Sequence, residues 1–166
     1  WEGIAAKIYF NTFNLFLPQK YQSKERSQHP ATDILNCMLN YGYGILYGKI
    51  ETALIKAGID PYIGIFHRDD YNRPSLVYDV IEQYRIWIDY VVISLLINNN
   101  ISDECYSIKE DNSYWLEPLG KRILIQAINE YFDEIIIINT ISRSRINHIN
   151  LFAQQLAQEF LNHKNQ

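Results

Sequence analysis

The sequence predicts an all-α domain, a bundle of about five to seven helices. Two observations carry this. Apolar residues recur with helical spacing along five long segments, and helix punctuation (Pro18, Asp33, Gly58, Pro74, Pro118) stands at the segment ends. A chain of 166 residues that is 48% hydrophobic is long enough to bury a core without disulfides or a structural metal.

The first helix is expected over Trp1 to Leu17, with Ile4, Ala5, Ile8, Tyr9, Leu15 and Phe16 as its apolar stripe. A chain that opens inside a helix suggests a fragment. Pro18 stops this helix, and the polar run Gln19 to His29 has no periodicity, which predicts a mobile loop. Thr32 or Asp33 can cap a second helix reaching about Ala57, where Gly58 supplies the stop. Gly42, Gly44 and Gly48 interrupt this helix at about 1 kcal/mol each, so close packing is the expected compensation.

Tyr62 to Phe66 is short and apolar, and leads to His67 and a polar turn. From Pro74 a third long helix carries the stripe Val77, Ile81, Tyr84, Ile88, Val91 and Leu95. After polar residues from Asn98 to Ser113, Trp115 to Ile138 has helical spacing with a β-branched, ambiguous end, and Pro118 fits a first turn. A last helix is expected from about Ser142 to Phe160, with a frayed tail.

Composition excludes several classes. The apolar runs are broken well short of the roughly 20 residues a membrane span needs, and nothing resembles a signal peptide, so a cytoplasmic protein with no membrane partner is expected. Cys37 and Cys105 lack zinc spacing and are expected as buried thiols. A net charge of -4 excludes a generally basic coat, so any contact with nucleic acid must be local. Candidate patches are Lys20, Lys24 and Arg26, then Arg68 and Arg73, and finally Arg143 and Arg145.

Four polar residues break the apolar patterning: Glu2, His67, Asp79 and Glu82. An imidazole with two or three carboxylates suits a divalent ion of the manganese or magnesium kind better than a thiolate-seeking one. Spacing alone is weak, because a histidine followed by two acids is common.

The surrounding motifs are more specific. Trp1-Glu2-Gly3-Ile4-Ala5-Ala6-Lys7-Ile8-Tyr9-Phe10, then Asp33 to Tyr43 continued by Ala57 to His67, then Arg73 to Arg85 resemble, in order, three motifs of the CRISPR spacer-acquisition integrase, the family often called CRISPR-associated protein one. The likeness covers essentially the whole chain, but only the C-terminal catalytic domain of that family. The resemblance therefore implies that residues 1–166 are one helical metal-binding catalytic domain, and that a β-rich domain, which in relatives supports dimerisation, belongs before Trp1.

By position, the resemblance implies Glu2, His67 and Glu82 as ligands of Mn2+ or Mg2+ and Asp79 as the neighbouring acid, the division of labour between Asp79 and Glu82 staying open. Arg73, Arg68, Arg85, Lys24 and Arg26 are the candidate DNA contacts, and Arg85 can also brace Glu82 from one turn away. The implied reaction is metal-assisted transesterification, in which the 3′-hydroxyl of a captured DNA end attacks the repeat of a CRISPR array. With water in its place the same site is a nuclease. The implied partners are double-stranded DNA with frayed or single-stranded ends, a second copy in a homodimer, and a small companion adaptation protein of ferredoxin-like fold, all in a prokaryotic cytoplasm. Two other readings share these motifs: a catalytically silent DNA- and protein-interaction module, and a transposon-encoded integrase of the same family.

Overall fold

A computed structural model of the chain describes residues 2–62 and 74–163. Its elements are α1 (Glu2–Asn14), α2 (Ile34–Lys56), α3 (Ser75–Ile81), α4 (Arg85–Ile97), β1 (Tyr106–Ile108), β2 (Tyr114–Leu116), α5 (Pro118–Asp133), β3 (Ile135–Ile138), β4 (Ile141–Ser144) and α6 (Arg145–His163). The expected helical class holds, with two small antiparallel hairpins added. The chain forms two compact units, residues 1–43 with 87–128, and residues 44–86 with 129–166.

In the first unit the start of α2 is set by Asp33. Its Oδ1 accepts the Asn36 amide at 2.8 Å, the N-cap bond that satisfies one orphan donor of the first turn. Leu35, Met38 and Leu39 of α2 are buried, as are Ile88, Val91, Val92, Leu95 and Leu96 of α4. Gly42 is required here, because a Cβ at that position would stand 2.6 Å from Ile88 Cγ2. Gly44 and Gly48 have open space around them among the described residues, so the packing expected for all three glycines holds only at Gly42.

The α1 stripe differs from expectation. Ile4 is 64% and Leu15 77% exposed, while Phe10 and Leu17 are the residues buried. Periodicity identifies a helix, but which of its faces meets other residues depends on what packs beside it. The run from Gln19 to His29 is also not the mobile loop expected. Tyr21 is buried and donates to the Ile101 carbonyl at 2.6 Å, and the Asn14 side chain pairs with the Ser23 backbone in both directions, at 2.7 and 2.8 Å.

Asn36, wholly buried, ties this loop to α2. Its Nδ2 lies 2.9 Å from Ser23 Oγ, 2.8 Å from the Glu25 carbonyl and 2.7 Å from Asp33 Oδ2. Its Oδ1 accepts from Arg26 Nη1 at 2.7 Å and from the Ser27 amide at 3.0 Å. Buried polar groups are kept only where such partners exist.

The polar stretch after α4 holds the first hairpin, with Tyr106 opposite Leu116 and Ile108 opposite Tyr114. Trp115 is thus on a strand and not in the helix expected from it, whereas Pro118 does open α5. Lys121 N–H already bonds the Glu117 carbonyl at 2.9 Å, leaving the missing proline amide without consequence.

In the second unit α2 ends at Gly58, whose φ of 80° is the left-handed region. Gly58 N–H bonds Ile55 O and Ile59 N–H bonds Leu54 O, both at 3.0 Å, the paired bonds of a Schellman stop. The helix expected from Pro74 to Leu95 is two helices. Gln83 N–H reaches Val80 O and Tyr84 N–H reaches Ile81 O, i→i−3 bonds that tighten the backbone between α3 and α4. One tight turn barely alters side-chain spacing, so Val77, Ile81 and Tyr84 stay buried and periodicity does not reveal the break.

The ambiguous end of the fourth segment is a strand. Ile135 to Ile138 pair with Ser144 to Ile141 across a two-residue turn, Asn139 and Thr140, both at positive φ as a type I′ hairpin requires. The last helix therefore begins at Arg145 and not at Ser142. Arg145 donates to Glu134 Oε2 at 2.6 Å and to the Tyr131 carbonyl at 2.8 Å, fastening the hairpin to the end of α5.

Candidate functional site

The best-described part of the expected site is the turn between α3 and α4. Leu76 N–H bonds the Pro61 carbonyl at 3.1 Å, so the two described ends of the segment that carries His67, Arg68 and Arg73 are joined. Those three residues, and the side chain of Glu2, lie outside the described residues. The Glu2 backbone is the first position of α1.

Asp79 is a half-buried residue of α3, and Glu82 follows the last turn of that helix with its carboxylate exposed. Arg85, the first residue of α4, contacts both Glu82 oxygens through Nη1, at 2.8 and 3.1 Å. An exposed pair of this kind contributes about 1 kcal/mol or less, too little to withhold Glu82 from a stronger ligand. The expected brace between Arg85 and Glu82 is therefore present but weak.

Beside Asp79 the Tyr78 ring lies 5.5 Å from that of Tyr47 on α2. Burial, reinforced by Glu51, pushes the Tyr47 hydroxyl up to about 12. Tyr47 was not singled out by sequence, because an aromatic at helical spacing reads as core; the half-buried acidic residue one turn on, Glu51, is a local signal.

The two candidate DNA contacts in the loop differ. Lys24 is exposed, whereas Arg26 is half-buried, with Nη1 on Asn36, Nη2 on Asn40 Oδ1 at 2.6 Å, and its guanidinium 5.5 Å from the Tyr43 ring centre. Arg145 is likewise engaged, by Glu134 and over the Tyr131 ring at 3.5 Å.

Sequence patterning also passed over Asp89 as one more position in an apolar helix. It is only 4% exposed, accepts the Tyr9 hydroxyl at 2.8 Å on Oδ2, and accepts the Tyr43 hydroxyl on Oδ1. Tyr43 thus has a buried polar partner.

The donor chemistry fits a hard divalent cation. Asp79 and Glu82 offer carboxylate oxygens three residues apart, and the remaining expected donors are one imidazole and one carboxylate. No group of three metal-ligating side chains occurs among the described residues, which include only these two of the four expected donors with their side chains. A thiolate site is not offered: Cys37 and Cys105 are free and buried, and burial raises the Cys37 thiol to about 11. No helix among the described residues is long and apolar enough to cross a membrane.

The helical architecture is shared with solved Cas1 proteins and with a casposase. A Cas1 protein from Thermotoga maritima superposes with a TM-score of 0.85 at 20% identity, over 97% of this chain and 52% of that one. A casposase bound to integration product superposes with a TM-score of 0.91 at 26% identity, over 99% of this chain and 50% of that one. The chain belongs to the family of CRISPR associated protein Cas1, whose pattern it matches over residues 1–130. It is 41% identical over 110 residues to CRISPR-associated endonuclease Cas1 3 of Thermus thermophilus, covering 66% of this chain and 33% of that protein. It is 35% identical over 139 residues to CRISPR-associated endonuclease Cas1 1 of Archaeoglobus fulgidus, covering 80% and 40%. The chain thus spans between a third and two fifths of the length of these curated relatives.

Proposed function

We propose that this chain is the catalytic part of a metal-dependent DNA endonuclease and integrase that inserts foreign DNA fragments as new spacers into a CRISPR array. Membership of the Cas1 family carries this reading, and relatives named endonucleases support it. Glu2, His67 and Glu82 hold the ion, with Asp79 beside them. A manganese or magnesium ion held there would supply Lewis-acid chemistry, polarising the scissile phosphate and offsetting charge on the oxygens exchanged.

The 3′-hydroxyl oxygen of the incoming DNA end forms a bond to phosphorus as the 3′-oxygen of the repeat strand leaves and takes up a proton. One phosphodiester replaces another, so no external energy source is needed. Water in place of the hydroxyl gives strand cleavage. Arg68, Arg73, Lys24 and Arg85 serve as phosphate contacts, the exposed Arg85–Glu82 pair being weak in itself. Arg26 would have to leave Asn36 and Asn40 to do the same, so it contributes least. A homodimer and a small ferredoxin-like companion complete the assembly, a reading supported by the similarity to a Cas6-RT-Cas1–Cas2 complex, with a TM-score of 0.86.

A second reading, a transposon-encoded integrase, is favoured by the casposase likeness over 99% of the chain. Offering the protein casposon-type ends and prespacer-type ends in competition separates the two by which is joined faster.

The site is tested by His67→Ala and Glu82→Ala in the protein that contains this chain. Manganese at about 100 times its dissociation constant stabilises a native state by about 2.7 kcal/mol, a rise of roughly 5–10 °C in the unfolding midpoint for a domain this size. Both variants are expected to lose that rise and strand transfer while keeping the metal-free midpoint. Integration by either at the parental rate refutes the assignment.

A further inference from the structure

Helix α1 is weakly anchored. Residues 3–9 are exposed, and Phe10 is the buried side chain of the helix among the described residues. One apolar anchor resists removal of a helix but not its rotation or sliding, because hydrophobic contact is non-directional. Hydrogen bonds are directional, and here they supply the missing constraint. Asn14 pairs with the Ser23 backbone at the far end of α1, and Tyr9 donates to Asp89 nearer its middle.

Asp89 is an expensive residue to bury, since a carboxylate away from water must be satisfied by donors and an apolar side chain would fill the same space without that demand. Its two oxygens take the hydroxyls of Tyr9 from α1 and Tyr43 from α2, while Asp89 itself sits on α4. Tyr43 is held in turn beneath Arg26, which Asn36 and Asn40 fix to α2. The carboxylate thus joins three helices at one point.

We propose that Asp89 is a positioning residue which, through Tyr9 and Tyr43, sets the rotation and axial position of α1 and hence of the backbone that carries Glu2. Tyr9 is seven residues from Glu2, two turns or about 10 Å along the helix axis, so a slip at Tyr9 is passed directly to the first turn. The inference rests on Glu2 being a metal ligand, and the test separates the two.

In the protein that contains this chain, Tyr9→Phe, Asp89→Asn and Glu2→Gln are compared by hydrogen exchange without metal, by Mn2+ affinity from electron paramagnetic resonance, and by strand-transfer kinetics. Tyr9→Phe and Asp89→Asn are expected to speed exchange in α1 tenfold or more while residues 34–40 of α2 stay as in the parent. They are also expected to weaken Mn2+ binding three- to tenfold, and to lower kcat with KM for DNA unchanged. Exchange in α1 within twofold of the parent in both variants overturns the clamp. Faster α1 exchange with unchanged Mn2+ affinity overturns its role toward Glu2. Unchanged Mn2+ affinity in Glu2→Gln sinks the ligand reading, whereas the exchange result still decides the clamp. Should Asp89→Asn not fold, Tyr9→Phe, which removes one hydroxyl from a half-exposed ring, carries the test alone.

Discussion

Asn36→Ala removes the group that fastens residues 23–28 to α2. Asn36 Nδ2 has two hydrogens shared among three acceptors, and Oδ1 takes two donors, so about four effective hydrogen bonds are lost. At about 1 kcal/mol net each, the loss approaches 4 kcal/mol. Water reaches part of the loop, where Lys24 and Glu25 are exposed, which lowers the expected destabilisation to about 3 kcal/mol. For a domain of this size that is a fall of roughly 10 °C in the midpoint of thermal unfolding. Urea unfolding measures the free energy, and limited proteolysis reports whether cleavage concentrates within residues 22–32. Asp33→Ala serves as comparison, since it removes the N-cap bond and the Ser23 contact but leaves Oδ1 of Asn36 engaged. A loss below about 1 kcal/mol, or an unchanged cleavage pattern, refutes the account of how this loop is held.

The helix glycines are expected to part company: Gly42→Ala destabilises by about 1 kcal/mol or more because its Cβ meets Ile88, whereas Gly44→Ala, with open space among the described residues, stabilises by about 0.5–1 kcal/mol, both read from urea midpoints. Thr140→Gly is expected to stabilise by about 1 kcal/mol, since a β-branched residue at a φ of 69° is strained where a type I′ turn prefers glycine, and thermal melts check the sign. The Cys37 thiol is raised by burial from 9.0 to about 11. The unfolded chain therefore ionises first, and this contribution is complete below pH 9 and fades as pH rises toward 11, by up to about 3 kcal/mol. Cys37→Ala should flatten that part of the decline in urea midpoints between pH 8 and 11; an identical decline in both proteins excludes the thiol as its source.

Helix existence was legible because burial on one face imposes a period of 3.6, and the stops were legible because they depend on single residues. Asp33 caps α2, Gly58 ends it at positive φ, and Pro118 opens α5, each by a bond or a dihedral its own chemistry favours. The stripe from Val77 to Leu95 is buried as its spacing implies, yet the turn at Glu82 to Tyr84 escaped notice because an i→i−3 turn nearly conserves that spacing. The isoleucine run at Ile135 to Ile138 suits a helix or a strand, and its pairing with Ile141 to Ser144 decided for the strand.

The candidate site divides the same way. The sequence alone determined the residue types: one imidazole and three carboxylates that break apolar patterns, in motifs whose order marks the family, because ligand chemistry is a property of single side chains. Only the tertiary structure decided which polar residues are partners. It drew Arg26 from the expected surface patch onto Asn36 and Asn40 and made Asp89 the common acceptor of Tyr9 and Tyr43, whereas the Glu82–Arg85 pair, one turn apart, was already legible in the sequence. Those pairings join residues as many as 80 positions apart, and local periodicity carries no information about which helix faces which.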